Sequence, residues 1–419
     1  MNFREQHASR NCFFGQWAVM IAALALLVMS AVSVAQAQTI TVMHNFTGGA
    51  DGAFPYAGLT MDAAGNYYGT ASAGGGYGKQ GVVFRLSPAG SGWIFTPLHA
   101  FAGEPNDGAV PYGGVTIGPD GSLYGATFEG GQNDAGTVYR LRPSPSACKS
   151  AVCPWEETVL YSFCPQRPNC SDGGGPDLGN LIFDQAGNIY GTTGSGGIDN
   201  YGVVFKLTPS GGAWTESVLY SFPSCDNGCY PDAGLIFDSA GNLYGTTGSG
   251  GAQNSGVVFE LSPSGSGWTE QTLASIYLGP YDITAGGLAM DGQGNLFGTT
   301  GGGEQGGVFE VSPSNGGWTF SVLQNLPDNV GPYDTPTLDA AGNVYGTACG
   351  EGQGDGEVFK LTRSNGGWTY TSVQFDYTDG ECPVGGVALD TAGNMYGTTD
   401  LGGPGDCGLG CGVVWEITP

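Results

Sequence analysis

Five segments of this sequence join an Asp-Gly or Asp-Asn-Gly to a following proline: ADGAFPYAGL (50–59), NDGAVPYGGV (106–115), SDGGGPDLGN (171–180), CDNGCYPDAGL (225–235) and TDGECPVGGV (378–387). Their carboxylates, Asp51, Asp107, Asp172, Asp226 and Asp379, are oxygen donors of the kind that hold Ca²⁺ or the hydroxyls of a sugar. Tyr56, Tyr112, Tyr281 and Tyr333 nearby offer flat faces for stacking. Paired carboxylates also cleave glycosides, but that chemistry needs them roughly 5–9 Å apart, and nothing in the sequence sets such a distance. The plainer reading is that Asp-Gly-x-x-Pro builds the loop, the Asp bonding to nearby backbone and the Gly turning it.

Other chemistries have less to work with. The sequence holds three histidines, and only His44 and His99 lie beyond the first forty residues. They stand in the slot that Tyr161 and Tyr220 fill in sister segments, which reads as structural. A Ser-His-Asp triad or a histidine-rich metal site is therefore nearly excluded. A second series of acids, Asp62, Asp184, Asp238, Asp291, Asp339 and Asp390, stands three residues before a glycine, as positions i and i+3 of a type I turn require. No residue is marked as catalytic.

The elements that must position these groups are written seven times. The clearest copy, DSAGNLYGTTGSGGAQNSGVVFELSP (238–263), reads as a turn, the strand NLYGTT, a glycine-rich loop, and a strand around Val257-Val258-Phe259 whose ladder Pro263 ends. Copies align on the Gly of a Tyr-Gly or Phe-Gly pair: Gly69, Gly125, Gly191, Gly245, Gly298, Gly346 and Gly397. A period of about fifty residues implies an array or propeller, because one such unit cannot bury its own apolar face. Gly is 79 of 419 residues, and charged residues are 11% against 40% apolar, a composition that fits a turn-rich all-β chain and not a disordered one.

A further segment ends each unit, as in WTESVLYSF (214–222) and WTEQTLASI (268–276), and makes a fourth strand. The last unit stops at Pro419 without one, whereas TITVMHNF (39–46) supplies one ahead of the first unit. A strand surplus at one end and missing at the other is what a closed ring needs. The expected fold is a seven-bladed β-propeller of four-stranded antiparallel blades, the last completed by the N-terminal strand; a right-handed β-solenoid would not explain the permutation. In the fourth unit the strands are expected at 233–238, 242–247, 256–262 and 268–276. Loops from fourth to first strand and from second to third strand then share one face, so the Asp-Gly segments form a ring around a central channel.

Residues 1–37 read as a signal peptide: Arg4 and Arg10 precede the apolar run 18–35, and Ala35-Gln36-Ala37 has the small-x-small form of a cleavage site. The propeller then occupies 38–419. Ten of the eleven cysteines follow the leader, in the close pairs Cys148/Cys153, Cys164/Cys170, Cys225/Cys229 and Cys407/Cys411, with Cys349 and Cys382 on one face and able to bridge neighbouring blades. All are placed in loops. Paired C-x-x-C sets for zinc are absent, so disulfides and an extracellular or periplasmic location are expected. The formal net charge of −26 disfavours nucleic acid and anionic lipid as partners and leaves cations and neutral ligands open.

The blocks D-x-x-G-N-L-Y-G-T-T, G-V-V-F-x-L-x-P and W-T-x-x-V-L-Y-S-F resemble the GloVer tandem-repeat family of secreted bacterial proteins over essentially the whole mature chain. The family's members commonly carry a C-terminal sorting or anchoring segment, whereas this sequence ends on a strand. A weaker similarity, in Gly250-Gly251, Phe259 and Trp268, is to kelch propellers, some of which support copper-radical oxidation with histidine ligands this chain lacks. The expectation is a monomeric binding or interaction scaffold for polysaccharide or an extracellular protein, with no cofactor other than Ca²⁺. The alternative is a carbohydrate-active hydrolase or lyase using loop carboxylates.

Overall fold

The Tyr-Gly pair that marks each repeat lies in the second strand of a sheet, and its glycine is set by the residue across from it. Gly245 pairs with Phe259, and a Cβ at Gly245 would lie 2.6 Å from the Phe259 Cζ. The same register joins Gly69 to Phe84, Gly125 to Tyr139, Gly191 to Phe205, Gly298 to Phe309, Gly346 to Phe359 and Gly397 to Trp415. All seven aromatic side chains are fully buried. The missing side chain is the space that the ring fills, which buries a large apolar surface beside every inner strand.

The computed structural model describes residues 38–144, 155–279, 286–301, 306–327, 330–350, 354–364 and 366–418; the fold described is the body Ile40–Thr418. It is all-β, with seven four-stranded antiparallel blades arranged as a propeller. In the fourth blade the strands, from the axis outward, are Ile236–Phe237, Leu243–Thr246, Val257–Ser264 and Gly267–Ser275. The innermost strand is thus much shorter than the segment 233–238 expected for it. The third strand runs through Pro263, which pairs with Trp268. One residue from the hairpin's end, that proline forfeits at most one ladder bond, so it does not stop the strand.

The ring closes as the permuted strand requires. Thr39–Asn45 lies beside Val413–Thr418 as the outer strand of the seventh blade, whose order continues inward through Met395–Thr399 to Ala388–Leu389. Phe46 N–H then donates to the Gly412 carbonyl at 3.1 Å. In the fourth blade a register shift between Val258 and Phe259 leaves Leu273 as a bulge, and four other blades shift at the corresponding place. The sixth blade has no shift, because its outer segment, WTYTSVQF, is one residue shorter.

Neighbouring blades are tied by the threonine after the Tyr-Gly pair. Its hydroxyl donates to an inner-loop carbonyl of the next blade: Thr70 to Gly113, Thr192 to Ala233, Thr246 to Gly286, Thr299 to Asp334, Thr347 to Gly385 and, across the closure, Thr398 to Ala57. Only the second blade breaks the series, with Ala126 in that place. The hydrophobic clusters likewise straddle blade boundaries; one joins Tyr68, Val83 and Leu98 to Phe101, Val115 and Tyr139.

The turn acids behave as expected. Asp238 accepts from the N–H groups of Ala240 and Asn242, from Asn242 Nδ2 and from the Tyr244 hydroxyl, while Gly241 closes the turn at φ +89°. Among the described residues four disulfides are present: Cys164–Cys170, Cys225–Cys229, Cys407–Cys411 and the blade-bridging Cys349–Cys382. Cys349 lies in the strand Val344–Gly350 and not in a loop, since Val330–Gly331 adds to that strand and extends it. Cys148 and Cys153, and the signal segment 1–37, lie outside the described residues.

Candidate functional site

The proline of each fourth-to-first loop explains how that loop reaches the axis. Pro111 packs on Gly81 of the preceding blade and Pro231 on Gly202, so closely that a Cβ would lie 2.4 and 2.5 Å from the proline Cδ. Pro55, Pro176 and Pro332 dock in the same way on Gly412, Gly136 and Gly306, the glycine just ahead of the third strand of the blade before, and Pro383 docks on Gly356 inside that strand. Of the residues that follow these prolines, Tyr56, Tyr112, Tyr333 and Val384 line the rim of the axial channel, whereas Asp177 and Asp232 line a pocket beside it.

Behind that rim the inner loops pack backbone to backbone. A Cβ on Gly58 would lie 2.8 Å from the Gly386 carbonyl oxygen, and one on Gly385 would lie 2.6 Å from the Ala57 carbonyl carbon. The glycines let the inner loops converge closely, with Asn180 Oδ1 accepting from Gly114 N–H and Thr335 Oγ1 from Gly287 N–H across neighbouring loops. What remains open is an axial cavity of about 210 Å³, lined by Tyr56, Tyr112, Asn180, Tyr333, Asp334 and Thr335 among others. Tyr56 and Tyr112 meet edge to face with centroids 5.3 Å apart. Tyr281 lies outside the described residues.

The Asp-Gly carboxylates are elsewhere, and the expected ring of Asp51, Asp107, Asp172, Asp226 and Asp379 around the channel does not form. Asp51 accepts from Thr47 N–H at 3.0 Å and stands 3.2 Å from His44 Nε2. Asp107 accepts from Ala102 N–H and Gly108 N–H and stands 3.1 Å from His99 Nε2, and Asp172 accepts from Cys164 N–H and the Tyr161 hydroxyl. These three fasten the loop to the outermost strand it has just left, which is why they sit far from the axis. His44 and His99 do share the slot of Tyr161, and burial lowers the His44 pKa against the pull of Asp51. Asp226 bonds to Ser224 and Asp379 to the Asp376 N–H within their own loops.

The acids that do converge on this face are Asp177, Asp232, Asp334 and Asp400. Burial raises Asp177 to about 6, and burial together with the Asp177 charge raises Asp232 to about 7. Asp334 is pushed by burial to about 8 despite the Thr347 N–H at 3.1 Å, and Asp400 to about 6 despite a hydrogen bond from Tyr56. The Tyr56 hydroxyl is in turn pushed up to about 12, by burial first and by Asp400 next. Asp177 and Asp232 line a side pocket of about 250 Å³ with Phe128, Ser195 and Tyr230. Among the described residues lining either cavity there is no Lys, Arg or His. Exposed Tyr77, Tyr230, Tyr277 and Tyr377 stand on loops of the same face. Sequence reasoning named the tyrosines of the rim but passed over these four acids. The column after each loop proline, in which Asp177 and Asp232 replace tyrosine, was the signal that could have found two of them.

Fold and site together define a seven-bladed repeat propeller whose inner loops frame a carboxylate- and tyrosine-lined channel mouth. The chain belongs to the Gloeobacter/Verrucomicrobia repeat family, which it matches over residues 30–163 and 154–326. No curated protein matches it in sequence. Among solved structures it is similar to the polysaccharide lyase Uly1, at 11% identity over 87% of this chain and 89% of that one, with a TM-score of 0.50. It is similar also to an ulvan lyase of a new polysaccharide lyase family bound to -[GlcA(1-4)Rha3S]-, at 11% identity over 90% and 95%, with a TM-score of 0.51. A protein from Lactobacillus plantarum aligns at 13% identity over 76% and 84%, with a TM-score of 0.45. At these identities the likeness is one of fold.

Proposed function

We propose that this protein is an extracellular carbohydrate-binding propeller that receives a polysaccharide across the face bearing the channel mouth. The observation that carries the reading is the mouth itself: Tyr56, Tyr112 and Tyr333 beside buried carboxylates, with further tyrosines exposed around it. Aromatic faces and carboxylates are what sugar rings and hydroxyls bind to. The names of two fold neighbours, both polysaccharide lyases, agree with a carbohydrate role. Four disulfides among the described residues support an oxidising compartment, and the proposal takes the leader 1–37 as removed and the propeller of 38–419 as a monomer.

Catalysis is the second reading, and one observation favours it: Asp177 and Asp232 share a pocket, and burial raises the second to about 7, above the first at about 6, as an acid and base pair needs. Elimination on a uronate is a poorer fit, because among the described residues no cation lines the mouth to neutralise the sugar carboxylate. Incubation with neutral and acidic polysaccharides, scored for retention and for new reducing or unsaturated ends, separates the readings. Retention on neutral polymers without products, lost in Tyr56→Ala or Tyr112→Ala, is the expected result. Products that vanish in Asp232→Asn would establish the hydrolase, and no retention at all would remove both. Ca²⁺ would enter through the same carboxylates, and retention that survives EDTA removes it.

A further inference from the structure

The seven blades are near copies, so a place where one departs from the rest is informative. In six blades the tyrosine of the Tyr-Gly pair donates its hydroxyl to Oδ2 of the turn acid: Tyr68 to Asp62, Tyr124 to Asp120, Tyr190 to Asp184, Tyr244 to Asp238, Tyr345 to Asp339 and Tyr396 to Asp390. The fifth blade has Phe297 there, and Asp291 Oδ2 is left with the Asn295 Nδ2 donor at 2.8 Å. A second departure falls at the end of the third strand, where Pro88, Pro143, Pro209, Pro263, Pro313 and Pro419 stand in six copies and Arg363 in the sixth blade. The two departures meet. Asp291 and Phe297 of the fifth blade and Arg363 of the sixth line one cavity of about 570 Å³, together with Met290, Leu338 and Asp339. It lies among the turns that join first to second strands, on the face opposite the channel mouth.

We propose that this cavity is a second carbohydrate site, which holds a neutral sugar residue by two neighbouring hydroxyls. A hydroxyl both donates and accepts. One hydroxyl donates to Asp291 Oδ2, as the tyrosine hydroxyl does in the other blades, and its neighbour accepts from Arg363. Asp291 is half-buried and Arg363 exposed, so both groups are open to a ligand. Asp339 does not compete, because the N–H groups of Ala341 and Asn343, the Asn343 Nδ2 and the Tyr345 hydroxyl already fill its oxygens. The Arg363 guanidinium lies over the Trp368 ring at 4.8 Å, and its 3.6 Å approach to Glu310 Oε1 is an ion pair too long for a hydrogen bond, so its N–H donors stay open. An anion fits poorly, since two carboxylates line the cavity and Glu310 balances the guanidinium; a cation meets that guanidinium. Met290 and Leu338, both half-buried, give an apolar wall for the C–H face of a pyranose ring. The volume falls within the range of small-molecule pockets, about 300–1,000 Å³. None of these groups belongs to the channel mouth, so the two sites succeed or fail separately.

The test is calorimetric titration of the intact protein, carrying Tyr112→Ala to disable the channel mouth, with the methyl pyranosides of glucose, galactose and mannose and with glucuronate and inorganic sulfate. At least one methyl pyranoside is expected to bind with a Kd on the order of 1 mM. Phe297→Tyr and Arg363→Pro restore the residues of the sister blades, so each suits the fold. Each is expected to weaken binding about tenfold or more, as loss of one hydrogen bond to a charged group does. Should Arg363→Pro melt early, Phe297→Tyr carries the comparison alone, because it returns a hydroxyl to Asp291. Binding that survives Phe297→Tyr undiminished overturns the site, as does the absence of binding by all three pyranosides. Glucuronate or sulfate bound tighter than every pyranoside overturns the neutral sugar and makes Arg363 the centre of an anion site. Pyranoside binding by a chain that retains no polysaccharide supports this site and removes the channel-mouth reading, whereas polysaccharide retention without pyranoside binding does the reverse.

Discussion

Each residue of the repeat motif has a local physical reason, and the reasons differ in how far they can be read from sequence. The turn Asp could be read directly, since its bonds run to residues two, four and six positions ahead, as Asp62 shows with Ala64, Asn66 and Tyr68. The Gly of the Tyr-Gly pair could not, because its reason is a ring on another strand. Gly245→Ala would set a Cβ 2.6 Å from Phe259 and 2.9 Å from Leu235, an overpacking expected to cost about 1–3 kcal/mol. Denaturant unfolding measures it, and the double variant Gly245→Ala/Phe259→Leu should recover part of the loss. Equal midpoints for Gly245→Ala and the native chain would contradict this account of the motif. The site acids were hidden for the opposite reason: Asp-Gly is a conspicuous dipeptide, and it drew attention to carboxylates that serve the outer strand.

At the scale of the element, four-strand blades and their order were legible because hydrophobic alternation and turn signals are local. The ties between blades were not, since they run from side chain to backbone over 35 residues or more, as from Thr246 to the Gly286 carbonyl at 2.8 Å. Thr246 is buried, so Thr246→Val would keep the shape and leave that carbonyl short of a donor, at an expected cost of about 1–3 kcal/mol. Ser217 serves as the control, because it is exposed on an outer strand and its hydroxyl reaches only the Lys206 carbonyl of its own blade, at 3.5 Å. Ser217→Val should change the unfolding midpoint little. The disulfide Cys349–Cys382 makes a second, covalent tie between the sixth and seventh blades. Replacing both cysteines with serine opens a link across 33 residues of sequence and should remove about 2–4 kcal/mol; a thermal melt unchanged in the double variant would show that the ring alone sets the spacing there.

For the whole molecule, ring closure was legible from one misplaced strand, whereas the electrostatic character of the axis required knowing which acids the closed ring buries. That character makes stability depend on pH in a particular direction. Burial raises Asp177 and Asp400 to about 6, Asp232 to about 7 and Asp334 to about 8, all above the unfolded value near 3.9. The folded chain therefore holds more protons than the unfolded chain between about pH 4 and pH 8, and stability from this source is complete below pH 4 and is lost as pH rises through the folded values. Burial opposes ionisation of Asp62, Asp184, Asp238, Asp339 and Asp390 too, but hydrogen bonds from Asn, Tyr and backbone outweigh it and hold them below the usual carboxylate range. Their stabilisation is present above about pH 4 and is lost as pH falls through those lower values. His44, lowered by burial, acts against the first group near its own range, whereas Glu157 and Glu216, raised by burial to about 8 and about 7, act with it. Relief of the −26 net charge acts with them. Scanning calorimetry should therefore find the melting temperature rising from pH 8 to about pH 5 and falling again below about pH 3.5, with the upper slope reduced in Asp232→Asn; a melting temperature that climbs steadily from pH 5 to pH 8 would mean that the axial acids are ionised in the folded ring.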